Sequence, residues 1–524
     1  MRGKSKTKRR SNSRKREEAA ESGSPTTRNP ALYHEGPNPF EWYSRYPELI
    51  QAAASIPFPY RPGMSIPFGR VAGEEVTLPV PGVMALHWAP TFGLTQTQTD
   101  PASIAAKEIY ARVRSSFSGG LDADPPDFMI YLGALDSIFS YLAYLKRVYR
   151  CVTAYSQNNY LVPNYMLYAM GFTDAQVQAL RSDKVRLWQL INELIYMSRK
   201  FKCPAVMDYF NRHHWMNEHV FMDTDSMNAQ MYIFQQDYFY RFGLLDTPDN
   251  VKAGGLYCVP LFANISGTDV VGQLYDFGES LIQSLAGWDD GYTISGYLQR
   301  AYDGVPSFFV DLLLQDEVIQ PRFEPEVLLQ IQNSHTALIP ISSANQLANE
   351  VSQDPTANII LCKPRLILAN TITAANIEPY TLDYPLGVRS DNPSIIDTVE
   401  ATRLASGLTG EHVAAGEDSQ AWFIDCGTEI MLYYVPWWRN PDGNPANWTI
   451  FSVSELQSGD MNLSLLSKAA MVSAWDWHPY LWVHSSSSKN QGMSLFTGDL
   501  MNTTKVTKED MRNMHRVCQY SEFN

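Results

Sequence analysis

The segment from Phe128 to Leu145 constrains the fold most, because its eighteen residues carry a single charge, that of Asp136. A run of this length and composition is long enough to span a membrane as a helix. Asp136, two serines and three tyrosines would nevertheless be costly in hydrocarbon. We therefore predict a helix buried in the protein core or in an interface, and no membrane span.

Helical patterns surround this segment between about residues 100 and 245. Asp100 followed by Pro101 is typical of a helix start, with an N-cap and a proline at the first helical position. The range from Asp174 to Ile195 predicts one helix, because its apolar residues recur every three or four positions. The ranges Met227 to Phe242 and Val271 to Ala286 are predicted as two further helices.

Short apolar runs separated by turn residues dominate after about residue 300. These runs are SFFVDLLL, NIILCKPRLIL, AWFIDC, EIMLYYV and WTIFSV. They predict strands of an antiparallel sheet, followed by a polar tail with a short helix from Lys508 to Tyr520. A helix-rich region followed by a strand-rich region predicts an α+β fold with two domains.

The first sixteen residues carry a concentrated positive charge. They contain no acidic residue and nine basic ones: Arg2, Lys4, Lys6, Lys8, Arg9, Arg10, Arg14, Lys15 and Arg16. Without those nine, the chain has 32 basic and 55 acidic residues, a net charge of −23. A basic arm on an acidic body is expected of a tail that contacts a polyanion. Because no apolar residue follows Met1 in this stretch, residues 1–30 are predicted to be disordered.

Nucleic acid is the partner that this arm favours. Lysine and arginine without interleaved aromatic residues neutralise phosphates but do not stack on bases. Binding to RNA would therefore be insensitive to sequence and steeply sensitive to salt. A nuclear-localisation signal and a solvated tail without function remain open as alternatives.

Proline and aromatic residues dominate much of the range 31–100. Six prolines between Pro57 and Pro81 exclude a long helix and favour extended or polyproline II backbone. The aromatic side chains nevertheless favour burial. We predict an extended strap that lies on its own body or on a neighbouring subunit, with which it would be exchanged in a dimer. The candidate subunit-interface residues are Phe40, Trp42, Tyr43, Phe58 and Phe68.

The sequence lacks the usual catalytic and cofactor motifs. GxGxxG, GxxxxGKS/T, HExxH and GxSxG are all absent. His214 and His219 are five residues apart, so they do not have the i, i+4 spacing of helical metal ligands. The six cysteines include no CxxC pair, which favours reduced thiols over a zinc module or a disulfide scaffold. We therefore predict no enzymatic activity, metal, cofactor or small-molecule substrate.

Two clusters that could suggest a site are more simply interpreted as structural. Asp289 and Asp290 lack the surrounding motifs of a two-metal centre, so solvated turn residues are expected. The aromatic and histidine residues from Trp475 to His484 alternate at a period of two. That alternation predicts a strand with two aromatic faces in a core or an interface.

Between about residues 83 and 245, a third of the chain, the sequence resembles picobirnavirus capsid proteins. The resemblance is carried by ALHWAP (Ala85–Pro90), DFMIYLGALDS (Asp127–Ser137), YLVPNYMLYAMG (Tyr160–Gly171) and the range Cys203 to Asp223, in which RHHWMNEHVFMD is the most distinctive stretch. Ala105-Ala106, Ile109-Tyr110, Val113-Arg114 and Leu145-Lys146-Arg147 match in the same order.

The resemblance implies a nonenveloped icosahedral shell around double-stranded RNA, built from dimers that exchange N-terminal segments. It implies a helix-rich shell domain, assigned to 101–255, and an increasingly strand-rich projecting domain, assigned to 256–484. The range 485–524 is a C-terminal tail that can return to the shell. The assignment of the C-terminal half rests on position alone. The expected location is the virion, with assembly in the host cytoplasm.

Three functions are weighed, and a shell-forming capsid subunit is favoured. A regulatory or coating RNA-binding protein that forms no closed shell is the first alternative, but it should interleave aromatic with basic residues. An enzyme with a basic tail is the second, and it should contain a catalytic motif with the right spacing. The sequence shows neither feature.

Overall fold

A computed structural model describes residues 45–154, 161–226, 228–263, 265–267, 269–336, 346–367, 383–411, 420–456, 463–485, 494–498 and 502–523. The chain divides into two compact units, one up to Pro59 and the other from Tyr60 onwards. The described part of the first unit contains helix α1 (Pro47–Ala54), which starts with a proline and has no buried residue among its eight. Proline suits this first position because the amide that it lacks would have no partner within the helix.

The second unit contains the other helices of the described residues. They are α2 (Pro101–Ser116), α3 (Pro125–Thr153), α4 (Leu161–Ala169), α5 (Asp174–Ser182), α6 (Lys184–Ser198), α7 (Asp208–Glu218), α8 (Val270–Ala286), α9 (Asp289–Ala301), α10 (Pro325–Gln332), α11 (Ile395–Thr402), α12 (Leu463–Val472) and α13 (Lys508–Ser521). The helices predicted at Asp100-Pro101, at Val271 to Ala286 and at Lys508 to Tyr520 are confirmed as α2, α8 and α13.

Helix α3 forms the centre of the larger core. It starts with a capping box between Asp124 and Asp127 and continues for 29 residues. It is long and apolar enough to cross a membrane, but its apolar window is completely buried inside the protein. The prediction of a buried helix is therefore confirmed, and the surrounding helices α2, α6, α7 and α8 supply its contacts.

A five-stranded sheet separates two cores. Its order is β16 (Pro445–Asn447), β15 (Glu429–Arg439), β3 (Val83–Pro90), β5 (Met231–Gln236) and β4 (Phe221–Met222), and β3 is parallel to β5 but antiparallel to β15. Side chains of a strand alternate between faces. Accordingly, Val83 and Ala85 join the core around α3, whereas Met84, Leu86 and Trp88 join a second core.

Five smaller sheets complete the part of this unit that the structure describes. They are the hairpin β1 (Ser65–Val71) with β2 (Glu74–Pro79); β10 (Ile359–Cys362), β9 (Val351–Asp354), β7 (Lys252–Pro260) and β6 (Tyr238–Asp246); β13 (Gly407–Glu411), β14 (Gln420–Asp425), β11 (Arg365–Ile367) and β8 (Gln346–Ala348); β12 (Tyr384–Gly387) with β20 (Thr503–Val506); and β17 (Val453–Leu456), β18 (Leu481–Ser485) and β19 (Ser494–Thr497). The predicted α+β class is thereby confirmed.

Four local predictions are wrong, and the fourth, the strand at SFFVDLLL, is described in the next paragraph. Within the range predicted as a helix from Met227 to Phe242, strand β5 and the first part of β6 form instead, and both contain strand-favouring aromatic residues. The predicted helix from Asp174 to Ile195 is divided at Asp183 into α5 and α6. Trp475 and Trp477 lie in the turn after α12, and the strand predicted there begins only at Leu481.

The run SFFVDLLL is extended but belongs to no named strand. Among the described residues, its only strand-like pairing is an isolated antiparallel bridge between Pro204 and Ser307. Side chains from α3 and α6 hold the backbone instead of a neighbouring strand. The boundaries assigned to strap, shell, projecting domain and tail remain predictions.

Candidate assembly surfaces and a buried charged centre

The β1–β2 hairpin exposes apolar side chains on most of its length. Phe68 and Val71 on β1, and Val76 and Leu78 on β2, are each more than a third exposed. Ala72 and Gly73 form the turn with positive φ values of 51° and 91°, as a tight hairpin requires. Two-stranded ribbons are marginally stable alone in water. The exposed apolar residues therefore mark the hairpin as a candidate contact surface.

The predicted interface residues are only partly described. Phe58 is 87% exposed at the end of the first unit, and Phe68 is 65% exposed in the hairpin. Phe40, Trp42 and Tyr43 lie outside the described residues, as do the nine basic residues of the arm.

A charged centre is buried where α3, α7 and β15 meet. Asp136, His213 and Glu429 are fully buried, and Nδ1 of His213 lies 2.7 Å from Oδ2 of Asp136. Nε2 of the same imidazole lies 3.7 Å from Oε1 of Glu429. Glu429 also pairs with Arg212, and Arg403 pairs with Glu522 nearby. Buried carboxylates thus face buried or half-buried cations, as their desolvation requires.

The charges of this centre shift the titration of its members. Burial alone would lower the pKa of His213, but Asp136 and Glu429 raise it above the ordinary histidine value. Burial also opposes ionisation of Glu429, yet Arg212 and Arg403 lower its pKa to about 2. The centre is therefore an ionic network that joins α3, α7 and β15.

A second ionic cluster lies at the C-terminal end of α7. Oε1 of Glu218 lies 2.8 Å from a guanidinium nitrogen of Arg150 and 3.7 Å from Nζ of Lys146. Oε2 of Glu218 lies 3.5 Å from Nδ1 of His214, one helical turn earlier. Arg150 also pairs with Glu317 at 2.7 Å. His214 is thus engaged in an ion-pair cluster, and burial lowers its pKa to about 4.

Arg147 is fully buried and binds backbone carbonyls. Its guanidinium donates to the carbonyls of Met216 at 3.1 Å and His219 at 3.3 Å, at the end of α7, and to that of Phe234 at 2.7 Å on β5. A cation at a helix C-terminus also complements the helix dipole. Arg147 therefore connects α3 to both α7 and the five-stranded sheet.

The other clusters considered from sequence are structural in this fold. Asp289 and Asp290 start helix α9, where Oδ2 of Asp290 accepts a hydrogen bond from the indole of Trp288 at 3.1 Å. Trp475 is buried in the second core and contacts Tyr232. Within the described ranges, no group of three or more histidine, cysteine or acidic side chains is arranged to hold a metal ion.

Comparison with known proteins supplies the classification of this fold. The family model described as picobirnavirus capsid protein matches residues 42–466, most of the chain.

This chain belongs to the picobirnavirus capsid protein family.

A relative and a solved structure agree with this membership. The capsid protein precursor of human picobirnavirus is 26% identical over 522 residues, which cover 93% of this chain and 91% of the relative. The crystal structure of the picobirnavirus capsid matches 93% of this chain and 98% of its own, with a TM-score of 0.76 and 19% identity. The resemblance seen in the sequence is confirmed. The homologues of this chain are structural proteins of the virion.

For a picobirnavirus capsid protein, exposed apolar surfaces are the relevant sites, and sequence analysis missed one of them. The extended segment after Pro306 exposes Phe309, Leu312, Leu314 and Val318. Its residues had been assigned to a sheet because the run SFFVDLLL is apolar. The run SFFVDLLL gives no sequence signal for this exposure, because missing alternation is typical of a strand buried on both faces.

Proposed function

We propose that this chain dimerises and assembles into a closed, nonenveloped icosahedral shell around double-stranded RNA. The observation that carries the proposal is the family match over residues 42–466, together with a fold match over 93% of the chain. The relative and the matched structure are both described as capsid proteins. The same membership supports a location in the virion, and we further propose assembly in the host cytoplasm.

The dimer contact is proposed to involve the strap and the β1–β2 hairpin. Phe58 and Phe68 would bury their exposed rings against the partner subunit, and Phe40, Trp42 and Tyr43 would add anchors from the preceding segment. Burying apolar area contributes about 25 cal/mol per Å². Packing of the strap on its own body is the competing arrangement.

RNA is proposed to bind the basic arm. The nine basic residues from Arg2 to Arg16 would neutralise phosphates, while the rest of the chain carries a net charge of −23. When the logarithm of the binding constant is plotted against the logarithm of the salt concentration, each neutralised phosphate contributes about −0.9 to the slope, on the scale of B-DNA. Uptake of RNA should therefore be insensitive to sequence and lost steeply as salt rises.

Electron microscopy with sedimentation of the full-length protein tests the shell directly. Closed particles of uniform diameter are the expected result. A small monodisperse species across pH and salt would contradict the proposal and favour an RNA-coating protein without a shell.

The arm and the hairpin are tested separately. Deletion of residues 1–30 should leave particles intact but abolish their salt-sensitive RNA content, and unchanged RNA content would refute the role of the arm.

Phe68→Ser should weaken the dimer, whereas Phe68→Leu, which keeps most of the apolar area, should retain it. Equal dimerisation by both variants would refute the role of the hairpin.

A further inference from the structure

A small cavity with apolar walls lies where the C-terminal end of α6 meets α3 and the segment after Pro306. Its volume is about 210 Å³, and four phenylalanines line it: Phe139, Phe201, Phe308 and Phe309. Phe309 is 57% exposed, whereas Phe139 and Phe201 are buried. The cavity therefore combines a buried floor with an exposed apolar edge, as a pocket for a projecting apolar side chain requires.

Backbone pairing holds the walls of this cavity in place. The backbone N–H of Phe308 donates to the carbonyl of Cys203 at 2.9 Å. That of Ala205 donates to the carbonyl of Pro306 at 2.8 Å. The rings of Phe139 and Phe308 pack with their centres 5.0 Å apart. An incoming side chain would thus meet walls that are already ordered, which lowers the entropic cost of binding.

The charged residues that line this cavity are basic. They are Arg199 and Lys202, and Nζ of Lys200 lies 5.5 Å from the ring centre of Phe201. Nε of Arg199 is buried and has no hydrogen-bond partner among the described residues. Asp311 is an exposed acid further along the segment, so an acidic partner would fit the α6 side of the cavity, where the three cations lie. We call the four phenylalanines and these three cations the basic pocket.

Helix α11 presents the opposite chemistry elsewhere on the same chain. Its residues Ile395, Ile396 and Val399 are 85%, 67% and 41% exposed, while Ala401 and Thr402 are buried. A helix that packed only on its own body would carry polar side chains on its exposed face. The exposed isoleucines therefore indicate a contact with another molecule.

A capping box fixes the position of these isoleucines. Oγ of Ser394 accepts from the backbone N–H of Asp397 at 3.1 Å, and the backbone N–H of Ser394 donates to Oδ2 of Asp397 at 2.7 Å. Ile395 and Ile396 are thereby held at the first two positions of α11. The apolar projection is thus ordered before any partner arrives.

Acidic side chains lie beside this projection. Burial raises the pKa of Glu400, and the carboxylates of Glu326 and Asp397 raise it further. These carboxylates therefore lie close enough to repel one another. Glu400 follows Ile396 by four residues, so both share one face of the helix. We call the following residues of α11 the acidic knob: Ile395, Ile396, Asp397, Val399 and Glu400.

We propose that the acidic knob of one copy of this chain inserts into the basic pocket of a second copy. This inference rests on the proposed shell function and adds a contact between subunits that is separate from the hairpin. An apolar projection meets an apolar cavity and carboxylates meet cations, which favours this partner over others. Self-assembly of the family supplies the second copy.

The proposed contact joins two different surfaces and is therefore heterologous. Each copy would offer its acidic knob to one neighbour and its basic pocket to another. Such contacts generate closed rings when the rotation between copies closes. Rings of this kind surround the symmetry axes of an icosahedral shell, so the contact suits the proposed assembly.

Substitution of Ile395 tests the apolar part of the contact in the full-length protein. Ile395→Gln should leave the circular dichroism and the unfolding temperature unchanged, because the side chain is 85% exposed. It should nevertheless reduce particle formation at least about tenfold. Ile395→Leu keeps the apolar area and should assemble like the wild type. Normal assembly of Ile395→Gln would overturn the inference.

Charge reversal tests the electrostatic part of the contact. Lys200→Glu and Glu400→Lys should each weaken assembly about tenfold, because each places like charges across the contact. The double variant K200E/E400K restores opposite charges and should recover assembly. Additive loss in the double variant would overturn the inference.

Cysteines on the two surfaces give an independent measurement. Particles assembled from a mixture of Ile395→Cys and Phe309→Cys subunits should contain disulfide-linked pairs after mild oxidation, since the two positions would lie close together. Either variant assembled alone should give none, which also controls for native cysteines. Absence of linked pairs in mixed particles, or equal linkage in one variant alone, would overturn the inference. Failure of the wild type to assemble would instead refute the proposed shell function itself.

Discussion

Nδ1 of His213 lies 2.7 Å from Oδ2 of Asp136, and both side chains are completely buried. Glu429 approaches the other imidazole nitrogen to 3.7 Å. An uncompensated carboxylate at this depth would cost several kcal/mol. Asp136 and Glu429 raise the pKa of His213, which favours the imidazolium form that compensates the carboxylates.

The first prediction concerns the pH dependence of stability. Burial would lower the pKa of His213, but Asp136 and Glu429 raise it overall. The stabilisation is therefore complete below the ordinary histidine pKa of about 6.5 and is lost as pH rises through the folded value. Burial also raises the pKa of Asp136, so a separate loss of stability begins above the ordinary aspartate value of about 3.9. Denaturant unfolding of unassembled protein should show a falling midpoint above about pH 6.5.

Variants of Asp136 and His213 identify the group that causes the fall in stability above about pH 6.5. His213→Gln should lower the free energy of unfolding at pH 6 by about 3 kcal/mol, because it leaves buried carboxylates uncompensated. It should also remove the decrease in the free energy of unfolding as pH rises above about 6.5. The double variant Asp136→Asn with His213→Gln restores a neutral hydrogen-bonded pair and should recover part of the loss. An unchanged slope in His213→Gln would show that another group titrates.

The second prediction concerns acid. Burial would raise the pKa of Glu218, but the neighbouring His214 and Arg150 lower it to about 2. A lowered carboxyl pKa stabilises the fold above the unfolded value and is lost as pH falls, here from about 4.5 to about 2. Glu218→Gln should lose on the order of 3 kcal/mol at pH 7 and flatten the acid limb.

The control for the acid prediction is Glu75→Gln. Glu75 pairs with Arg70 at 3.2 Å on the exposed hairpin, where solvent screens the pair. The acid limb of its unfolding curve should match that of the wild type. If Glu218→Gln behaves like this control, the ionic cluster at the end of α7 does not stabilise the fold.

Sequence patterns predicted correctly those elements that depend mainly on neighbouring residues in the chain. The single-charge run from Phe128 to Leu145 formed a buried helix, since few other environments accept it. The range Met227 to Phe242 was assigned wrongly because strands buried on both faces lose the alternation that identifies them. Strand β3 lies between β15 and β5, whose pairings depend on chain contacts far apart in sequence.

The charged centre could not be predicted for the same reason. Asp136 and His213 are 77 positions apart, and Arg212 and Glu429 are 217 apart. The motif RHHWMNEHVFMD was singled out, but only the fold decides that His213 faces the core while His214 faces Glu218. The exposure of the segment after Pro306 was missed because exposure of an apolar run is a property of tertiary structure.

The third prediction concerns Arg147. Arg147→Met keeps the volume but leaves three backbone carbonyls without the donor that binds them. We expect a loss of about 3–5 kcal/mol in the free energy of unfolding. Arg147→Lys should be intermediate, because an ammonium does not reproduce the fork of donors. Arg70→Met, on the exposed hairpin, should change stability by less than about 0.5 kcal/mol, and a comparable loss in both would contradict the role of Arg147.

The fourth prediction compares two glycines within helices. A Cβ atom at Gly133 on α3 would lie 2.7 Å from the ring of Phe92 and 2.8 Å from Leu256. Gly133→Ala should therefore destabilise the core by about 1–3 kcal/mol, since those side chains must shift. Gly296→Ala on α9 meets no atom within 4 Å and should stabilise the protein by about 0.5–1 kcal/mol, because alanine loses less backbone entropy. Thermal unfolding of both variants measures the difference, and stabilisation by Gly133→Ala would show that α3 can move away from Phe92 and Leu256.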